Sequence, residues 1–239
     1  MEHLRYPNES EGYRDARNRL LEEEIKLRAQ IEAVAARRRA LPLGGEVPWD
    51  YVFERIGDNL MPQKVRMSEL FGPHDTMILY SFMYGPERDS PCSGCAHLLD
   101  GIDGAARHLT QRAAFHVVAK SPIARLTAFA RQRGWQHLSL LSTAGNCYDG
   151  DYFGDTTKLS KAMRLQHRVP VGQNWDETIF NVFKKRNGKM HHFWGSEMAF
   201  ARAAPGQHHR AGDMADPLWN LLDMTPDGRG ETWFPEVEY

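Results

Sequence analysis

Two thiols separated by two small residues, Cys92-Ser93-Gly94-Cys95, are the part of this chain whose chemistry is most readily read. A thiolate attacks disulfides, and a second thiol one helical turn further on can attack the resulting mixed disulfide and release the product. That exchange needs one sulfur ionised near neutral pH. A sulfur at a helix N-terminus meets free backbone N–H groups and the positive end of the helix dipole. C-x-x-C thiols so placed fall from a pKa of ~8.5 into a range of roughly 3.5 to 7.5. With Cys92 at the N-cap, the N–H groups of Gly94 and Cys95 point at its sulfur. Cys92 is therefore the expected attacking thiolate and Cys95, one turn in and more buried, the resolving thiol. Ser93 and Gly94 leave room for a substrate backbone. The same spacing is also half of a zinc site, and a metal-binding reading takes Cys92, Cys95 and a histidine such as His191 or His192 as ligands for copper or zinc. His97 and His108 fall on the same predicted helix, with no second C-x-x-C and no H-x-x-x-H nearby.

The flanking residues supply the elements that must position this pair. An apolar run, Met77-Ile78-Leu79-Tyr80-Ser81-Phe82-Met83-Tyr84, predicts a strand over about 76–83 that leads through a short loop to Pro91. After Cys95, Leu98, Leu99, Ile102, Ala105, Ala106 and Leu109 recur on one face of a helix over about 92–109. Ala114 to Ala119 reads as a strand buried on both faces. Ser121-Pro122 opens a helix lined by Ile123, Leu126, Phe129 and Ala130 and stopped by Gly134. His137 to Leu141 is a further short strand, and Asn187-Gly188 between two apolar runs (179–183 and 190–194) is a hairpin signal. Leu218, Trp219, Leu221 and Leu222 predict a closing helix. Earlier in the chain, Tyr51-Val52-Phe53 is β-like and 67–72 a short helical turn; 143–177 is glycine-rich, aromatic and without a clear period. The order β-α-β-α-β, loop region, β-hairpin, helix predicts an α/β fold: a thioredoxin-like three-layer α/β/α sandwich with a mixed central sheet.

Residues 9 to about 40 read as one helix capped by Asn8 or Ser10, with Tyr13, Leu20, Leu27 and Val34 recurring every seven residues and Leu41-Pro42 and Gly44-Gly45 ending it. The expected organisation is an N-terminal helical extension, 1–45, and a thioredoxin-like domain, 46–239. The helix is either a solvated element or, through its narrow seam, the arm of a homodimer.

Composition limits the function classes. At 239 residues the chain can bury a full core, and its formal net charge of -1 gives no footprint for nucleic acid or a membrane surface. Met1 to Pro7 lacks the apolar core of a secretory signal, and no apolar stretch approaches the ~20 residues that span a bilayer. Three cysteines do not make a disulfide framework; they suit a reducing compartment, so a soluble cytoplasmic protein is expected. No G-x-G-x-x-G or P-loop pattern occurs, so no nucleotide or other cofactor is expected. The expected partners are a disulfide-containing substrate, protein or small molecule, and a thiol electron donor. Cys147, in Gly145-Asn146-Cys147-Tyr148-Asp149-Gly150, is either a second resolving thiol or an incidental cysteine. His191 and His192, adjacent on a strand, face opposite ways. His208-His209 are expected to be solvated. Tyr152, Phe153, Trp175 and Trp194 line either a cleft or the core. Gly101 and Gly104 each cost ~1 kcal/mol in a helix, which close helix–sheet packing would explain.

Several segments together resemble the bacterial DUF899 family: Arg39-Ala40-Leu41-Pro42, Tyr51-Val52-Phe53-Glu54, Leu79-Tyr80-Ser81-Phe82-Met83-Tyr84-Gly85-Pro86, Cys92-Ser93-Gly94-Cys95, Asp100-Gly101-Ile102-Asp103-Gly104-Ala105, and the run from Val118 to Leu126. The resemblance covers nearly the whole chain and implies a thioredoxin-like fold and dithiol–disulfide oxidoreductase activity. The stretches Ser121 to Gly134, Leu140-Leu141-Ser142 and Tyr152-Phe153-Gly154 are also similar to the peroxiredoxin-like branch of that fold. Pro91 precedes Cys92 as in that branch, but Tyr84-Gly85-Pro86 does not reproduce its threonine-containing loop. Where thioredoxins place a cis-proline facing the dithiol, this chain has Trp175-Asp176-Glu177-Thr178, and the nearest proline is Pro170.

Overall fold

The structure is a computed structural model that describes residues 4–207, 215–230 and 232–239; His208 and His209 lie outside the described residues. The chain divides into two compact units, one ending at Pro42 and the other beginning at Leu43. The first is built on helix α1 (Glu11–Arg39). Ser10 caps it, its Oγ accepting from the Tyr13 N–H at 3.1 Å, and Arg37, Arg38 and Arg39 face the negative end of the dipole. The Arg14 guanidinium reaches back to Glu9 at 2.7 Å. Of the seam residues, Tyr13, Leu20 and Leu27 are exposed and Val34 is half-buried.

The second unit holds a seven-stranded sheet in the order β2-β1-β5-β4-β3-β6-β7. Along the chain come β1 (Val52–Ile56), β2 (Pro62–Arg66), helix α2 (Met67–Leu70), β3 (Thr76–Ser81), α3 (Ser93–Leu109), β4 (Ala114–Ala119), α4 (Ile123–Arg133) and β5 (Leu140–Ser142). Short helices α5 (Tyr148–Asp151) and α6 (Lys161–Gln166) follow, then β6 (Phe180–Arg186), β7 (Lys189–Gly195) and α7 (Pro217–Leu222). Strands β3, β4 and β5 are parallel neighbours, Tyr80 beside Val117 and Val118 beside Leu141. On its other side β3 pairs antiparallel with β6, Ile78 opposite Val182. The β6–β7 hairpin turns at Asn187 and Gly188, both at positive φ (53° and 76°), as a two-residue primed turn requires. The strand leading to the dithiol thus lies inside the sheet between a parallel β-α-β unit and an antiparallel hairpin. This is the thioredoxin-like mixed sheet expected from the element order.

Strand alternation divides the core into two clusters, one on each face. Met77 and Leu79 of β3, Ala114 and Val118 of β4 and Phe183 of β6 pack with Phe53, Met67, Phe71 and Tyr148. Tyr80 of β3 and Phe115 and Val117 of β4 pack with Cys95, Leu98 and Leu99 of α3 and with Ile123, Leu126 and Phe129 of α4. Both long helices therefore cover one face, and the other is closed by α2, α5 and the aromatic residues around them. Strand β2 and helices α5 and α6 are elements the sequence did not predict. Gly101 is explained by helix–helix contact: a Cβ there would stand 3.3 Å from Pro217 Cγ of α7. Gly104 has nothing within 4 Å of such a Cβ, so close packing does not account for it. Among the described residues no helix is long and apolar enough to cross a membrane.

Leu99 is fully buried between α3 and the sheet and carries the helix that positions both cysteines. Leu99→Ala is expected to lower unfolding stability by about 2–5 kcal/mol, measured as a shift in the urea midpoint at unchanged slope.

Candidate functional site

Strand β3 ends at Ser81, and the chain crosses eleven residues before α3 begins, with Cys92 as the N-cap residue in extended conformation (φ -61°, ψ 122°). The Cys92 N–H donates to the Met83 carbonyl at 3.0 Å and its own carbonyl accepts from Ala96 N–H at 3.0 Å, so the residue is fixed from both sides. The intervening loop is held from α4 and the segment before it. Ser121 Oγ donates to the Tyr84 carbonyl. The Arg125 guanidinium donates to the carbonyls of Gly85 (3.1 Å), Arg88 and Asp89 (3.1 Å) and lies 4.1 Å from the centre of the Tyr84 ring. Asp176 accepts from the Gly85 N–H and pairs with Arg88 at 3.5 Å.

Cys92 is half-buried and Cys95 is buried at 3% exposure; both thiols are free. The Cys92 thiol is lowered to about 6. The largest cause is the hydrogen bond donated to it by the Cys95 thiol. Burial works in the opposite sense, and the backbone N–H groups of Cys95 and Gly94 and the positive charge of Arg88 add to the lowering. The Cys95 thiol is pushed well above its ordinary value, first because its proton is shared with Cys92 and then by burial. The buried Tyr80 hydroxyl works against this, lowering the Cys95 thiol, while burial and Cys95 push its own pKa up and Thr178 lowers it. Thr178 stands where the proline-bearing loop of a thioredoxin was in question; no described peptide bond is cis.

The cysteines open onto a groove of about 220 Å³ whose walls include Leu98, Ile179, Phe180, Ala199, Trp219 and Phe234. His97, two residues past Cys95, pairs with Asp216 at 3.3 Å, and burial lowers its pKa against the opposing charges of Asp216 and Asp100. None of the four aromatic residues read as lining either a cleft or the core borders this groove. Tyr152 packs in the core against Phe183 and the His192 ring, Phe153 meets Phe200, Trp194 lies on β7, and Trp175 lines a separate cleft. Tyr80, Thr178, Trp219 and Phe234 escaped the sequence reading. Tyr80 is one more residue of an alternating strand, and the others are brought in from distant segments.

The histidines of the metal reading are engaged elsewhere. His192 Nε2 lies 3.0 Å from Asn181 Oδ1, and His191 Nδ1 lies 3.3 Å from the Gly44 carbonyl. Among the described residues no group of three or more His, Cys, Asp or Glu side chains is arranged to hold a metal ion. Cys147 is exposed, hydrogen-bonds Asp151 at 3.3 Å and has its pKa raised, chiefly by desolvation. It lines a cleft of about 440 Å³ that shares no residue with the dithiol groove. That cleft lies at the carboxyl ends of β4 and β5. There Lys120 bonds Asp155 at 3.1 Å and the buried Asp149 carboxylate accepts from the Thr143 hydroxyl.

The sequence profile of a family described as "Bacterial protein of unknown function (DUF899)" matches residues 4–239. No curated protein matches the chain. Among solved structures, it is similar to the peroxidoxin BcpB of Mycobacterium tuberculosis (14% identity, TM-score 0.43, covering 76% of this chain and 98% of that one). It is also similar to reduced Prx3 of Vibrio vulnificus in complex with hydrogen peroxide (12%, TM-score 0.44, covering 70% and 91%). A third is peroxiredoxin Q of Xanthomonas campestris (12%, TM-score 0.43, covering 77% and 96%).

Two pH dependences follow from the geometry. Alkylation of Cys92 by iodoacetamide should rise through a midpoint of about pH 6, and Arg88→Ala should move that midpoint upward; mass spectrometry should find Cys95 unlabelled throughout. Asp149, at 4% exposure, has its carboxyl pushed up to about 7, chiefly by burial. Its folded pKa lies above the unfolded value, so between about pH 4 and 7 the native state holds the extra proton and stability falls as pH rises. Asp149→Asn should flatten the pH profile of the urea midpoint across that window.

Proposed function

For this chain, which belongs to the DUF899 family, we propose thiol–disulfide exchange at Cys92 and Cys95 as the function. The observation that carries the reading is the placement of Cys92 as the N-cap residue of α3, half-buried above Cys95, with its thiol lowered to about 6 by the Cys95 thiol and the Cys95 and Gly94 N–H groups. Helix-terminal donors and a shared thiol proton favour the charged form of the group that must attack.

The Cys92 thiolate attacks one sulfur of a substrate disulfide and expels the other as a thiolate. The Cys95 thiol, giving up its proton to the expelled thiolate, then attacks Cys92 and breaks its bond to the remaining substrate sulfur, which leaves as a thiolate. The products are the Cys92–Cys95 disulfide, one substrate thiol and one substrate thiolate that takes its proton from solvent, so the dithiol loses two electrons and the substrate disulfide gains them. A thiol donor returns the protein disulfide to the dithiol. The substrate and that donor are the partners this chemistry requires. The half-buried sulfur is the one a substrate reaches, and the buried one stays protected until the mixed disulfide forms.

Cys92→Ser is expected to abolish disulfide reduction, and Cys95→Ser to accumulate a mixed disulfide at Cys92 detectable as an added mass. A redox titration followed by alkylation should show the pair interconverting with a single midpoint between roughly −120 and −270 mV. Failure of Cys92 and Cys95 to form an intramolecular disulfide in that titration would overturn the assignment.

A further inference from the structure

The C-terminal part of the chain crosses the mouth of the dithiol. Helix α7 lies on α3 at Gly101, with Pro217 Cγ 3.3 Å from where a Cβ would stand. Asp216 joins His97 at 3.3 Å, and the Trp219 ring meets the His97 ring edge-on at 5.8 Å. Trp219 in turn meets Trp233 edge-on (6.1 Å) and Phe234 at a tilt (5.7 Å). Beyond them Val237 packs into the core cluster of α3 and α4, its carbonyl accepts from Arg133, and Glu238 accepts from Gln132 Nε2 at 2.6 Å. Phe234 reaches Gly94, between the two cysteines. A Cβ on Gly94 would stand 3.0 Å from its ring and 3.7 Å from Cys92 Sγ. The ring therefore lies against the turn between the two thiols, where a polypeptide substrate would have to lay its backbone.

Resting on the dithiol reading above, we propose that this aromatic strap, Asp216–Leu222 and 232–239, selects a low-molecular-weight aromatic disulfide and excludes disulfides held in folded proteins. The space left beside Cys92, about 220 Å³, is smaller than the ~300–1,000 Å³ of ordinary ligand pockets and suits one or two rings. Its walls are mostly apolar and aromatic, with Thr178, Ser196 and the His97–Asp216 pair as polar points. An aromatic ring carried by the substrate sulfur would stack on Trp219 or Phe234 and gain from contacts that a protein surface cannot reach. A Cβ on Gly94 would press on the ring at 3.0 Å, so the glycine lets the ring lie this close to the turn.

The test is single-turnover exchange of the reduced full-length protein in a Cys147→Ser background, which removes the exposed third thiol. One arm uses 4,4′-dithiodipyridine and the other insulin, each rate divided by that of dithiothreitol with the same disulfide. The normalised preference for the aromatic disulfide should be about a hundredfold and should fall about tenfold in Phe234→Ala and in Trp219→Ala, while Trp219→Phe keeps it. Equal normalised rates in the parent protein, or a preference unchanged in both alanine variants, overturn the strap as a selector. Phe234 is half exposed, so its loss leaves the core intact even where Trp219→Ala unfolds α7. A Cys92→Ser protein that reacts as fast as the parent sinks the dithiol reading instead, whatever the strap does.

Discussion

Everything about the site depends on where one sulfur sits relative to the first turn of α3. Backbone N–H groups at a helix start have no intrahelical partner, and a thiolate is an acceptor that can satisfy them. Cys92 occupies that place, and the Cys95 thiol and the Cys95 and Gly94 N–H groups all lower its pKa. Burial alone would push the thiol up. The donors win because hydrogen bonds to a charged group are worth about 1.5–3 kcal/mol each, and several of them converge on one atom. Arg88 contributes least of the named causes: its side chain is about one-third exposed and already paired to Asp176, so solvent and the carboxylate both screen it.

Holding the sulfur there is the task of the loop between β3 and α3, which has no ladder partners for most of its carbonyls. Arg125 supplies them. A planar guanidinium offers five donors in a fixed fork, and here the fork serves three carbonyls of the loop while its face rests on Tyr84. Lysine could not serve all three in one geometry. Ser121 and Asp176 secure the loop from two further segments, the turn after β4 and the approach to β6. The start of α3 is thus set by contacts from elements that are remote in sequence, and the Cys92 position inherits their rigidity.

That remoteness explains what the sequence could and could not disclose. The strand, the two parallel β-α-β steps and the Asn187-Gly188 hairpin were legible because each has a local signature: alternation, a helical stripe, or a turn whose φ values only certain residues adopt. So was the role of the Gly94 and Cys95 N–H groups, which follows from helix geometry alone. Strand β2 was not legible, because Pro62-Gln63-Lys64-Val65-Arg66 buries only Val65 and shows little apolar alternation. The walls of the groove were also hidden. Phe180, Trp219 and Phe234 belong to three segments, and nothing local in any of them refers to a cysteine more than eighty residues away. Tyr152 and Trp194, which have the composition of a cleft, fold into the core and a strand. The two readings of Gly101 and Gly104 diverge for the same reason, since the helix that needs Gly101 to be small comes from the far end of the chain.

The two thiols also answer a problem that any buried resolving cysteine raises. In the proposed exchange Cys95 must remain protonated while Cys92 attacks, yet ionise in the next step inside an apolar cluster. The chief reason its pKa is high is the hydrogen bond it gives to the Cys92 sulfur. Once Cys92 is joined to a substrate sulfur, it carries no negative charge and that hydrogen bond loses its strong acceptor. What remains is burial, which still disfavours the thiolate, against Tyr80 and the Met83 backbone, which both lower the Cys95 pKa. Tyr80 is able to donate because full burial holds its own hydroxyl protonated, against the lowering by Thr178 at the groove wall. On the proposed mechanism the first half of the exchange thus removes the constraint that would block the second, and the order of attack follows from which sulfur lies at the helix terminus and which lies beneath it.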